Sequence, residues 1–99
     1  MKYAFHPEAL IEFSKATIYY SQKNSKLGAA FYTEIETAIH RIVENPKLFR
    51  VIEEDIRCCF TRRFPYGILY TVEENYVLIV AVMHCRREPF YWKHRIKKG

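Results

Sequence analysis

Apolar side chains recur every three or four positions in the first half of the chain and every second position in the second half, so the pattern changes from helical to strand-like partway along. The opening KYAFH, residues 2 to 6, is short and aromatic enough for a strand, and Pro7 suits the first turn of a helix, where its missing N–H leaves no bond unmade. Over residues 8 to 23, Leu10, Phe13, Thr17 and Tyr20 form one stripe while Glu12, Lys15 and Gln22 point elsewhere, which predicts an amphipathic helix. A polar break over Asn24 to Gly28 follows. Phe31, Ile35, Ala38, Ile39 and Ile42 then make a second stripe, and Asn45 before Pro46 should stop that helix near Glu44, because a residue preceding proline is disfavoured in the helical region. Glu34, Glu36 and Arg41 are expected to solvate its outer face.

From Ile56 the period is two: Ile56, Cys58, Phe60, Arg62 and Phe64 alternate with Arg57, Cys59, Thr61 and Arg63, predicting a half-buried strand limited by Pro65. Tyr66 to Val72 reads as another, and a Glu73-Glu74-Asn75 turn leads into YVLIVAVM, whose unbroken apolarity suits a central strand. Pro89 should end the sheet, and FYWKHR after it fits either a last helical turn or a short strand. Pro46 to Asp55 carries no predicted element. The fold expected is one α+β domain over residues 1–99: an N-terminal strand, an α-helical hairpin, then a three-stranded antiparallel meander, with the helices packed on one sheet face and the other partly open.

Charge adds a direction to this picture. Residues 1 to 56 hold seven Lys/Arg against eight Asp/Glu, and residues 57 to 99 hold nine against three, so the net +5 is the sum of −1 and +6. A basic C-terminal half favours anionic partners: nucleic acid, an acidic protein segment or a membrane surface. The start MKYAFHPEAL has no signal-like apolar run and no stretch approaches the roughly 20 apolar residues of a membrane span, so no membrane partner and a cytoplasmic location are expected. Cys58, Cys59 and Cys85 are an odd set. The adjacent pair should face opposite sides of a strand, which predicts reduced, mostly buried thiols. There is no Cys-x-x-Cys, no phosphate-binding glycine loop and no Gly-x-Ser-x-Gly, and the four histidines are scattered, so neither metal nor cofactor is expected.

Candidate chemistry gathers in the basic half. Arg57 and Arg63 share the polar face of one predicted strand, His84, Arg86 and Arg87 end the central one, and Tyr91, Trp92, His94 and Arg95 follow. Guanidinium groups grip phosphates bidentately and rings stack on unpaired bases, so a cationic, aromatic concavity suits RNA; it equally suits an acidic peptide. His84 as general acid or base, Tyr91 as a second proton carrier and an arginine such as Arg87 against a developing phosphate charge would cleave RNA without a metal. Trp92 reads first as a core lid.

HPEA opening a helix, YY near its end, GAAFYTEI, ENPKLF, RRFPYGILYTV and AVMHCRREPFYW together resemble the ParE-like branch of the RelE/ParE toxin superfamily over nearly the whole chain. This resemblance implies the toxin of a type II toxin–antitoxin pair, neutralised by a cognate antitoxin whose disordered segment wraps its surface. RelE-like members cut messenger RNA in the ribosome, whereas ParE-like members poison DNA gyrase. The two lysines of the RelE strand are matched here by Cys58 and Phe60 and its arginine after the turn by Gly67, while Arg87 matches its second arginine. The resemblance therefore implies a gyrase-binding inhibitor of growth, with Arg57, Arg62, Arg63, Arg86, Arg87, Trp92 and Arg95 as binding surface. The alternatives are a ribosome-dependent ribonuclease built on His84, Arg87 and Tyr91, and a nontoxic remnant or binding module.

Overall fold

A computed structural model describes residues 1–96; Lys97 and Lys98, part of the basic excess, lie outside the described residues. The order is β1 (Lys2–Phe5), α1 (Pro7–Lys23), α2 (Ser25–Glu44), β2 (Arg50–Glu53), β3 (Ile56–Phe60), β4 (Tyr66–Val72), β5 (Tyr76–His84) and a 3-10 turn at Lys93–Arg95. The strands form one sheet in the order β1-β5-β4-β3-β2, with β1 parallel to β5 and the other pairs antiparallel. The α+β strand, hairpin and meander are as expected. The addition is β2, which lies in the stretch expected to be a loop and pairs Arg50 with Cys58 and Val51 with Arg57 across a bulge.

Caps account for the helix limits. His6 Nδ1 accepts the Glu8 N–H at 3.1 Å with Pro7 at the first helical position. Asn24 closes α1 by donating its N–H to Tyr20 O, and opens α2 by accepting the Lys26 N–H at 2.8 Å on its side-chain oxygen. The break between the helices is thus one residue, not the five from Asn24 to Gly28. Gly28 is already helical and lets the hairpin close, because a Cβ there would stand 2.8 Å from Ser21 Cα.

The buried stripe of α2 is the expected one, but that of α1 is Ala9, Phe13 and Ala16, with Leu10 turned outward. Small alanines let α1 lie close to the sheet. Tyr66, Ile68 and Tyr70 of β4 and Val77, Ile79 and Val82 of β5 meet the helices to form the main core, each large aliphatic chain contributing roughly 1.5–3 kcal/mol of burial.

The opposite sheet face is more covered than expected. Ile56, Cys58, Leu69, Val80 and Ala81 form a second cluster closed by Trp92, with Tyr91 and Ile96 against it. Ala81 opposes Leu69 and Ile79 opposes Tyr70, so Val80 is an extra residue, and the bulge turns Val80 and Ala81 to the same side. Strand β3 stops at Phe60, four residues before the expected Phe64, and residues 61–65 turn instead, with Thr61 Oγ1 bonded to Phe64 O. Cys58 and Cys59 are both buried, on opposite faces, so β3 has no polar face at this point; Cys85 is exposed, and all three are free thiols.

Candidate functional site

The site grows from an incomplete sheet edge. β1 ends at Phe5, and after His6 N–H bonds Ile79 O the outer edge of β5 has no strand beside it. Side chains satisfy those backbone groups instead. Glu12 Oε1, on α1, accepts the Val82 N–H at 3.0 Å, and Arg95 Nη1 donates to Val80 O at 3.1 Å. Arg95 also grips Glu12 at both oxygens, and the Tyr91 hydroxyl donates to Glu12 Oε2 at 2.5 Å. Burial first, and then the hydrogen bond to Glu12, push the Tyr91 hydroxyl well above the ordinary tyrosine range. Its ring carries Arg87 at 3.9 Å and Arg95 at 5.0 Å.

Beside this network Glu12, Lys15, Ala16, Tyr66, Val82, His84 and Arg87 line a cleft of about 270 Å3. His84 Nδ1 accepts the Arg86 N–H at 3.0 Å, so in the neutral ring the proton sits on Nε2. The imidazole meets the Tyr66 ring edge-on at 5.2 Å, and burial pushes the Tyr66 hydroxyl up to about 12. Lys15 and Arg87 have no carboxylate partner among the described residues.

The predicted site residues separate into two groups. Arg62 and Arg63 are exposed in the β3–β4 turn, and Arg86 and Arg87 are exposed after β5; pairing of Tyr66 with His84 and of Phe60 with Gly67 puts all four at one end of the sheet. The other three are occupied internally. Arg57 Nη1 donates to Lys47 O at 3.1 Å and Phe49 O at 2.7 Å, and with the hydroxyl of its cross-strand neighbour Tyr70 on Pro46 O it ties down the chain after α2. Trp92 is 2% exposed in the second core, and the Arg95 side chain is 5% exposed. Neither presents a surface to a partner here. Arg57 and Arg63 therefore do not share a strand face, since Arg63 lies beyond the end of β3.

Glu12, Lys15 and Tyr66 belong to the cleft yet did not stand out in the sequence, because a carboxylate, an amine and a ring dispersed over two elements carry no spacing signal. Glu34 is likewise more than a solvating group: its Oε2 accepts the backbone N–H of Arg62 at 2.6 Å and of Arg63 at 2.7 Å, fixing the turn that holds those arginines. The sheet face away from the helices is apolar at the same end. Phe60 lies across Gly67, where a Cβ would come within 3.3 Å of its ring and 2.9 Å of Cys58 Sγ.

A second concavity of about 410 Å3 runs along α1 and is lined mainly by Leu10, Phe13, Thr17, Ile18 and Tyr32. Leu10, Ile18 and Tyr32 are each about half exposed, so this groove is an unpartnered apolar surface. Among the described residues no helix is long and apolar enough to cross a membrane.

No curated protein matches the chain. The family model described as the ParE toxin of type II toxin-antitoxin system, parDE, matches residues 3–89. That match takes in the helical hairpin, the whole meander and the cationic turn after β5, and the chain accordingly belongs to the ParE toxin family of type II toxin–antitoxin systems.

Proposed function

We propose that this toxin acts by binding, with DNA gyrase as target, and that a cognate antitoxin neutralises it. The observation that carries this reading is the Cys58, Phe60 and Gly67 surface. The positions matching the RelE lysines and arginine hold a buried thiol, a phenyl ring and a glycine with no room for a side chain. None of those three positions supplies a cation to stabilise a developing phosphate charge. Tyr91 supports the same reading, since its proton is engaged by Glu12 and burial opposes its ionisation.

Membership of the family implies an antitoxin partner. The apolar groove beside the hairpin favours an amphipathic helix as the element that covers it. One observation favours the ribonuclease alternative: His84 Nε2–H and the Arg87 guanidinium share a cleft.

The test is induced expression in bacteria with growth, DNA supercoiling and messenger integrity followed in the same cells. Arrest with disturbed supercoiling and intact messages is expected. Arrest with rapid message cleavage would transfer the reading to the ribonuclease, and unimpaired growth would leave a nontoxic binding module.

A further inference from the structure

Glu12 lines the cationic cleft, and at first sight its negative charge should repel anions. Both of its oxygens are spent. Oε1 accepts from Val82 N and Arg95 Nη1, Oε2 accepts from the Tyr91 hydroxyl and Arg95 Nη2, and the Arg95 charge offsets its own. Three nitrogen donors remain facing the cleft: the Lys15 amine, His84 Nε2–H and the Arg87 guanidinium. Lys15 and Arg87 have no acidic partner among the described residues, and Arg87 is steadied by its contact with the Tyr91 ring.

We infer that this cleft receives one carboxylate side chain from an acidic segment of a partner protein, its charge held by Lys15, His84 and Arg87 and its methylenes lying on Ala16 and Val82. Size and ring placement favour a carboxylate side chain over nucleic acid. The volume of about 270 Å3 is below the roughly 300–1,000 Å3 of pockets that enclose a drug-sized ligand, so it fits a side chain better than a nucleotide. A single strand held through its bases would also need a free ring face for stacking. The Tyr91 ring already carries Arg87 and Arg95, Tyr66 is buried against His84, and Trp92 is in the core. The inference rests on the reading of this toxin as a binder, and names the chemistry at that contact.

The test is an NMR titration of the isotopically labelled full chain with acetylated tetraglutamate, with inorganic phosphate and oligouridylate run in parallel at equal ionic strength. Tetraglutamate should move the Lys15, His84 and Arg87 resonances saturably. Arg87→Glu should weaken that binding about tenfold or more, as reversal of a paired charge does. Lys15→Gln, on the exposed side of α1, provides a second variant that leaves packing untouched, and should weaken it several-fold. The inference fails if oligouridylate or phosphate binds there and the peptide does not, if no ligand saturates those resonances, or if both variants bind the peptide as the parent does. Saturable peptide binding with normal supercoiling in cells would keep the cleft and discard gyrase as target. Disturbed supercoiling without peptide binding would do the reverse.

Discussion

The guanidinium of Arg95 meets the carboxylate of Glu12 end to end, with Nη1 2.8 Å from Oε1 and Nη2 3.0 Å from Oε2. Arg95 Nε has no hydrogen-bond partner and stands 3.8 Å from Glu8 Oε1, so among the described residues Glu12 is the one carboxylate that hydrogen-bonds this guanidinium. Glu12→Gln would leave the buried Arg95 cation with only the more distant Glu8 as counter-charge and direct an amide N–H at the Val82 or Tyr91 donor. The expected loss is roughly 3 kcal/mol of unfolding free energy, read from urea titrations. A change below about 0.5 kcal/mol, the scale of ordinary surface substitutions, would show that the pair is not what closes this edge.

Four tyrosines resist ionisation in the folded chain, Tyr3 among them. Burial pushes Tyr66 and Tyr70 from 10 up to about 12, and Tyr91 higher still, with Glu12 adding to its rise. Above pH 10 the unfolded chain releases protons that the folded chain keeps, so the unfolded state binds fewer and stability falls with rising pH. Stability from this source is complete below pH 10 and declines as pH climbs towards about 12. Tyrosinate absorbance should therefore lag that of the denatured chain. Superimposed titrations of folded and denatured protein would contradict this.

Gly67 has a steric reason. A methyl there would stand 2.9 Å from Cys58 Sγ and 3.3 Å from the Phe60 ring, so Gly67→Ala should cost roughly 1–3 kcal/mol. Shortening Cys58 to alanine removes the nearer obstacle. The double variant should then be less destabilised than the two single changes add up to, by roughly 0.5 kcal/mol or more. Strict additivity would place the strain elsewhere.

Glu34→Ala would leave the Arg62 and Arg63 amides without their carboxylate acceptor. A loss of roughly 0.5–1.5 kcal/mol is expected, because both amides are exposed and water can take the place of the carboxylate. Hydrogen exchange of those two amides should accelerate relative to strand amides such as Ile68 and Leu69. Unchanged exchange at both amides would mean that the turn holds without Glu34.

The sequence was most legible where a single element carries its own periodicity. Phe31, Ile35, Ala38, Ile39 and Ile42 mark α2 unaided, and Pro7 and Asn45 set limits the structure keeps. It was least legible where an outcome depends on a partner element. Leu10 is more apolar than Ala9, yet α1 presents Ala9 to the sheet because close approach there favours small residues and leaves Leu10 to the groove. β2 is four residues long and mostly exposed, so RVIE has no alternation to distinguish it from a loop until β3 lies beside it. The same cause hid the cleft: Lys15 and His84 come together only through the packing of α1 on β5. Arg57 and Arg95 read as surface cations, since nothing local reveals that backbone carbonyls and Glu12 await them.

The parallel pairing of β1 with β5, in which Lys2 opposes Tyr76, sets an order of events during synthesis. The hairpin of α1 and α2 can pack as soon as residues 7–44 have emerged, but β1 has no neighbour until residues 76–79 follow it. Glu12 must wait longer still, for Tyr91 and Arg95. Non-local contacts of this kind form late and slowly because the intervening chain must first be gathered in. While residues 76–95 are still to be made, β1 lacks its strand neighbour and Glu12 lacks Tyr91 and Arg95, so the edge of the sheet that carries the cleft is completed last.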